Sequence, residues 1–383
     1  MRRLFPLIAA VVLVDTMFFA AVAPLLPHYS DELGLSKSAA GVLAAAYPAG
    51  TLVGALPAGW LAARVGVKPT VLLGLGLLAV TSVAFGFAEN VLVLDLARFA
   101  QGLGGACSWA GGLAWLVSAS PADRRGTVIG SALGAAIVGV LLGPALGGLA
   151  TLLSPALVFS GVAAVAAGLA AWAWTMPGTP PERSAGMRAV GRALRRPAVL
   201  VGIWLFTLPA LFAGAIEVLA PLRLDELGAS GALIGVIFLL VAVVEAVLSP
   251  WSGRLSDRHG RLAPIRAGLA GAVVMAALMP LSGTVLVMAF ALLAVIATLG
   301  MFWAPAMALL SDASEAAGLD LALAFGLANL AWASGHMVGS AGGAALADAT
   351  TDAVPYALLG AACAITLAAL LRVARREPAA SRL

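Results

Sequence analysis

A chain of 383 residues that is 62% hydrophobic and only 10% charged is not an ordinary water-soluble globule, which carries roughly 25% charged residues. Its net charge of +4 is distributed by topology, which argues against a nucleic-acid surface. Cys107 and Cys363 both fall inside apolar runs, so neither a disulfide framework nor a metal site is expected.

The first apolar run, LFPLIAAVVLVDTMFFAAVAPLL, follows only Met1-Arg2-Arg3. It is too long for a signal-peptide core and carries Asp15, so it reads as a retained span. Further runs predict an all-helical membrane protein of twelve spans: 4–27, 38–62, 70–88, 91–118, 127–151, 155–176, 198–222, 231–251, 263–283, 285–310, 321–347 and 352–371. Each is long enough to cross a hydrocarbon core of ~30 Å. With the N-terminus inside, 19 of the 22 Lys and Arg fall on the inner side, including Arg2, Arg3, Arg64, Lys68, Arg124, Arg125 and the C-terminal tail. Lys37 and Arg223 fall outside, and Arg98 lies within the membrane. This follows the positive-inside rule and predicts cytoplasmic termini in a plasma (inner) membrane.

The polar segment PGTPPERSAGMRAVGRALRRP, 177–197, separates two six-helix halves, 1–176 and 198–383. The halves repeat in parallel. DELG at 31–34 recurs at 225–228, Gly41 matches Gly235 and Gly59 matches Gly253, each pair 194 residues apart. Such repeats predict a substrate site between the halves near the membrane midplane. GWLAARVG (Gly59–Gly66) recurs as GRLSDRHG (Gly253–Gly260), but Ala63 stands where the second copy has Asp257. Each copy is expected to end a helix on its first glycine and to cross to the next span through basic residues.

Three carboxylates interrupt the spans. Asp15 lies about 18 Å beyond Arg3 at helical rise, Glu217 four residues before Pro221, and Glu245 eight before Gly253. An ionised group at a helix centre costs roughly 2.5–3.5 kcal/mol on insertion scales, so such acids face a cavity or a partner. A carboxyl that holds a proton or a cationic substrate in turn has the minimum chemistry of antiport; structural pairing with Arg98 or a polar helix contact is the other reading. Arg98 has Gln101 one turn along its face. It forms a fixed ion pair, for which Asp95 is available, or modulates a nearby acid. In the fifth span Gly139, Gly143, Pro144, Gly147 and Gly148 allow close helix packing. Asn329, Trp332, His336 and Gly339 share one face of the eleventh helix, which suits a cavity wall. His336 either titrates near neutral pH or is a hydrogen-bonded packing residue. Trp109, Trp204, Phe302 and Trp303 are candidate aromatic walls for an amine, with packing or interfacial roles equally open.

Gly253, Leu255, Asp257, Arg258, Gly260 and Arg261 match the pattern Gly-x-Leu-x-Asp-Arg-x-Gly-Arg, and Gly59, Leu61, Arg64, Gly66 and Lys68 keep most of it. This resembles the signature loop of the major facilitator superfamily, where it latches the cytoplasmic gate. RFAQG at 98–102 and GVLLGPALGG at 139–148 resemble the fourth-span and antiporter motifs of its drug–proton exchangers. With VDTMFFAAVAPLLP (14–27), PADRRG (121–126), AIEVLAPL (215–222) and LANLAWASGHMVG (327–339), the chain looks like the twelve-span drug–proton antiporters, especially their vesicular monoamine transporter relatives. The resemblance implies that Asp15 and Glu217 serve amine recognition and proton coupling. Asn329 stands where that branch has a further Asp, and the Gly-Pro of its eleventh span is absent. The missing acid at Ala63 implies a bias toward opening on the cytoplasmic side.

The expectation is a monomeric proton-coupled antiporter that exports amphipathic cationic molecules, needs no cofactor beyond the proton gradient, and has the lipid bilayer as its surroundings. A transporter of a neutral or anionic metabolite is the alternative within the same class. A non-transporting membrane receptor or lipid-handling protein is the alternative from another. No paired catalytic acids, nucleophile elbow, metal cluster or phosphate loop marks an enzyme.

Overall fold

A computed structural model describes residues 3–120, 125–178, 187–319 and 321–376, although a few side chains within these ranges, Asp257 among them, lie outside the description. Residues 121–124 of PADRRG and part of the 177–197 segment are likewise outside it. The helices are α1 (Leu4–Leu33), α2 (Lys37–Arg64), α3 (Val67–Gly86), α4 (Val91–Ser118), α5 (Arg125–Leu152) and α6 (Pro155–Thr175) in the first half. The second half holds α7 (Pro197–Glu226), α8 (Gly231–His259), α9 (Leu262–Leu278), α10 (Val285–Ala316), α11 (Leu321–Met337, continued by a π turn Val338–Gly342 and Gly343–Ala349) and α12 (Ala353–Arg376). Among the described residues, ten helices are long and apolar enough to cross a membrane; α4 and the interrupted α11 complete twelve. The fold is therefore all-helical, as read from the sequence. The linker is less irregular than its composition suggests, since Met187–Ala193 forms a short helix.

Several helices overrun the predicted spans. α8 continues to His259 and α10 to Ala316, because intrahelical hydrogen bonds persist into water after the apolar run has ended. The repeated loop needs a related correction: Gly59 and Gly253 lie inside α2 and α8 and end neither helix. The turns fall at Gly66 (φ 109°) and Gly260 (φ 81°), backbone angles that a side chain disfavours.

The repeat is physical as well as textual. Gly34 and Gly228, 194 residues apart, both take positive φ. Ser36 and Ser230 then cap α2 and α8, accepting from the N–H of Ala39 and Leu233. Gly41 and Gly235 each press α2 or α8 onto the opposite half. Gly41 meets Ala344 and Ser340 of α11, and Gly235 lies against Gly148 and the Pro144 carbonyl of α5. The α2–α11 and α5–α8 contacts thus join the two halves; the apolar cluster of the first half extends to Val218, Leu222 and Ala344 of the second, which buries a further cluster of its own.

Candidate functional site

α1 brings Asp15, Phe18 and Phe19 to the middle of the bundle, where α4 presents Arg98 and Gln101. Asp15 is 1% exposed, and the Tyr47 hydroxyl of α2 donates to its Oδ2 at 2.8 Å. Trp109 also interacts with this carboxylate. The acid presses on α4 at Gly105, where an added Cβ would lie 2.6 Å from the Tyr47 hydroxyl and 3.1 Å from both Asp15 oxygens.

Arg98 is fully buried. Its Nη1 donates to Gln101 Oε1 at 2.6 Å and its Nη2 to the Phe19 carbonyl at 3.4 Å. The guanidinium lies over the rings of Tyr47 (5.1 Å), Phe18 (5.7 Å) and Phe19 (5.7 Å). The suggested ion pair with Asp95 does not form: Arg98 turns inward to Gln101, and Asp95 Oδ1 has no hydrogen-bond partner among the described residues. Burial among rings and carboxylates favours the inward rotamer, since it compensates the desolvated charge.

Across the seam, α7 and α11 supply a second acid. Glu217 Oε2 is hydrogen-bonded to His336 Nε2, both side chains being buried. The Phe19 ring of the first half reaches across to Trp332 (5.4 Å) and His336 (5.5 Å), and Trp332 stacks beside His336 at 5.2 Å. Arg98 feels the charges of Glu217 and Asp15 together. One aromatic wall therefore connects the two acids, with the arginine between them.

Five buried polar atoms in this cluster lack a hydrogen-bond partner among the described residues: Asp15 Oδ1, Arg98 Nε, Gln101 Nε2, Glu217 Oε1 and His336 Nδ1. Folded proteins pair nearly all such atoms, so their concentration here marks a place for a polar guest. With both acids ionised, two negative charges face one fixed positive charge. A proton or a cation restores the balance.

Other nominated residues stand apart. Glu245 on α8 makes no bond to a described residue, and Asn329, half-buried on α11, makes none to the cluster. Trp303 packs edge-on against Phe206 within the second half. Trp204 is partly exposed and donates to Thr366 on α12, and Phe302 is buried in the apolar core. Gly339 presses on the Leu211 backbone of α7. In the fifth-span motif, Gly139, Gly143 and Gly147 pack on α1 at Leu13–Thr16, Met17–Ala20 and Ala21, and Gly148 faces α8. Arg64 stacks on Trp60 (5.2 Å) and Arg261 pairs with Asp312 at 3.3 Å. The exposed Arg258 makes no bond to the cluster. Tyr47, Phe19 and Gly105 escaped the sequence reading. Tyr47 left the clearest trace, as a phenol in mid-span that needs a partner once buried.

Twelve apolar helices in two repeated halves, meeting at buried acids and an arginine, define a polytopic membrane protein with a polar site at its seam. The chain belongs to the Major Facilitator Superfamily, whose profile matches residues 8–224 and 210–383. The human synaptic vesicular amine transporter is 36% identical over 88 residues, 23% of this chain and 17% of that protein. The quinolone resistance protein NorA of Staphylococcus aureus is 30% identical over 127 residues, 33% of each chain. These alignments thus cover a third or less of the relatives' own length. Among solved structures, a D-xylose–proton symporter superposes with a TM-score of 0.75 at 18% identity, over 96% of both chains. A bacterial homologue of the human lysosomal transporter Spinster, inward-facing and unoccupied, gives 0.76 at 13% identity, over 96% of this chain and 94% of that one.

Proposed function

We propose that this protein is a transporter, that it exchanges protons for amphipathic organic cations, amines or drugs, and that it exports them across the plasma (inner) membrane as a monomer with cytoplasmic termini. The observation that carries this reading is the pairing of two buried acids, one per half, through a shared aromatic wall with unpartnered polar atoms. A cation fits between carboxylate and rings by charge and by cation–π attraction. A proton on the same carboxyl removes that attraction, so the two compete. The partial likeness to an amine transporter and to a quinolone resistance protein agrees with this chemistry. Asp15 and Glu217 carry the competition, His336 holds Glu217 in place and offers a second proton site, and Arg98 balances the charge. No cofactor is required beyond the proton gradient.

Proteoliposomes with an imposed pH gradient provide the test. The parent protein should concentrate a fluorescent organic cation against its gradient, and Asp15→Asn and Glu217→Gln should each abolish this gradient-driven transport. Accumulation at the parental rate in both variants would remove the acids from the mechanism.

A further inference from the structure

Lys37 opens α2 at the face opposite the chain termini. Its ammonium lies 2.8 Å from Asp352 Oδ1 and 3.1 Å from Glu226 Oε1, both in the other half. Beside it the backbone N–H of Ser38 donates to Asp348 Oδ2 at 3.3 Å. These bonds close one of the two seams on this face. At the other, Gly148 meets Gly235 and Gly231 meets Thr151. The repeat supplies no counterpart to Lys37, since Gly231 stands 194 residues on. Glu32, the repeat mate of Glu226, turns instead to His28 in its own half at 3.4 Å. The charged clasp is therefore an addition to the symmetric scaffold.

Lys37, Glu226, Asp348 and Asp352 line a cavity of about 530 Å³ whose wall also includes Met279 and Met288. Tyr356 lines it as well; it is 2% exposed, and its hydroxyl has no hydrogen-bond partner among the described residues. A buried phenol ordinarily finds a partner. Three carboxylates face two cations here, Lys37 and Arg223. The cavity already recognises one ammonium, that of Lys37.

We propose that this cavity is a second binding site, for a small organic ammonium ion, and that its occupant displaces Lys37 from Asp352 and Glu226 and so loosens the seam. The carboxylates accept the N–H donors of the ion, the Tyr356 hydroxyl accepts another, and the methionines cover its alkyl part. Half-exposed ion pairs are weakly held in water, so a modest ligand competes with Lys37. A ligand that binds only when Lys37 is released shifts the seam by its differential affinity for the two states. The site is separate from Asp15 and Glu217 and does not depend on their carrying protons.

The test uses n-butylammonium and the full-length protein in lipid nanodiscs, with Asp15→Asn and Glu217→Gln present so that the central acids do not contribute. Titration calorimetry should show binding that tightens about tenfold in Lys37→Met, as for a latch closed nine-tenths of the time. It should vanish in Asp352→Asn/Glu226→Gln and weaken severalfold in Tyr356→Phe, which leaves every charge in place. In a background lacking Cys107 and Cys363, Leu219→Cys, buried and lining the cavity, should react faster with an impermeant maleimide when the amine is present. Affinity unchanged in Tyr356→Phe and in Asp352→Asn/Glu226→Gln, or labelling indifferent to the amine, would overturn the proposal.

Discussion

Arg98 is a fully buried guanidinium held by one side-chain amide, one carbonyl and three ring faces. Removing one member of such a buried charged set leaves the others uncompensated, at a cost of about 3–5 kcal/mol. Arg98→Ala should therefore lower the thermal unfolding midpoint of the purified protein markedly. Arg98→Lys should recover only part of the loss, because an ammonium lacks the planar fork that stacks on rings while donating twice. Equal midpoints for Lys and Arg at this position would show that charge alone matters. Asp15, Glu217, Arg98, Gln101, Trp332 and His336 were legible in the sequence because polar and aromatic groups stand out in an apolar run. Tyr47, Phe19 and Gly105 were not, since a ring or a glycine in a membrane helix has many ordinary reasons to be there. Which acid would meet which partner was also hidden: Glu217 and His336 are 119 residues apart, and only the packing of α7 on α11 joins them.

Among the elements, α5 shows how a glycine series positions a site. Gly139 lies against Leu13 and Thr16 of α1, and Thr16 returns a hydrogen bond to the Ala136 carbonyl at 3.2 Å. That contact fixes the face on which Asp15 points inward. Gly134 on the same helix has nothing within 4 Å of where a Cβ would stand. Gly134→Ala should accordingly be neutral or stabilise by up to about 1 kcal/mol through helix propensity. Gly139→Ala should push α1 away and lower both stability and cation transport. A melting curve and a transport assay on each variant decide this, and similar behaviour of the two would refute the contact as a determinant. The glycine motif was readable as a packing surface, but its partner helix was not. Helix ends were read less well, because hydropathy marks the hydrocarbon boundary and hydrogen bonding marks the helix boundary. The π turn at Val338–Gly342 left no periodic signal in a run of small residues.

At the scale of the whole molecule, two repeated halves are clasped at one face and in the middle. The cross-half bonds of Lys37 and Ser38 lie at the face opposite the termini. On the terminal side, Gly59 and Gly253 have nothing within 4 Å of an added Cβ. The repeat, the two halves and the family were legible because a constant offset survives divergence. The cross-half clasp was not, because Lys37 has no repeat mate. The central claim is that protons and organic cations compete for Asp15 and Glu217, and proton release on binding tests it most directly. Adding a saturating amine to purified protein in weakly buffered solution should acidify the medium, and apparent affinity should fall as pH is lowered. The acidification should be lost in Asp15→Asn/Glu217→Gln. Amine binding in the parent protein with no proton release and no dependence on pH would contradict the account.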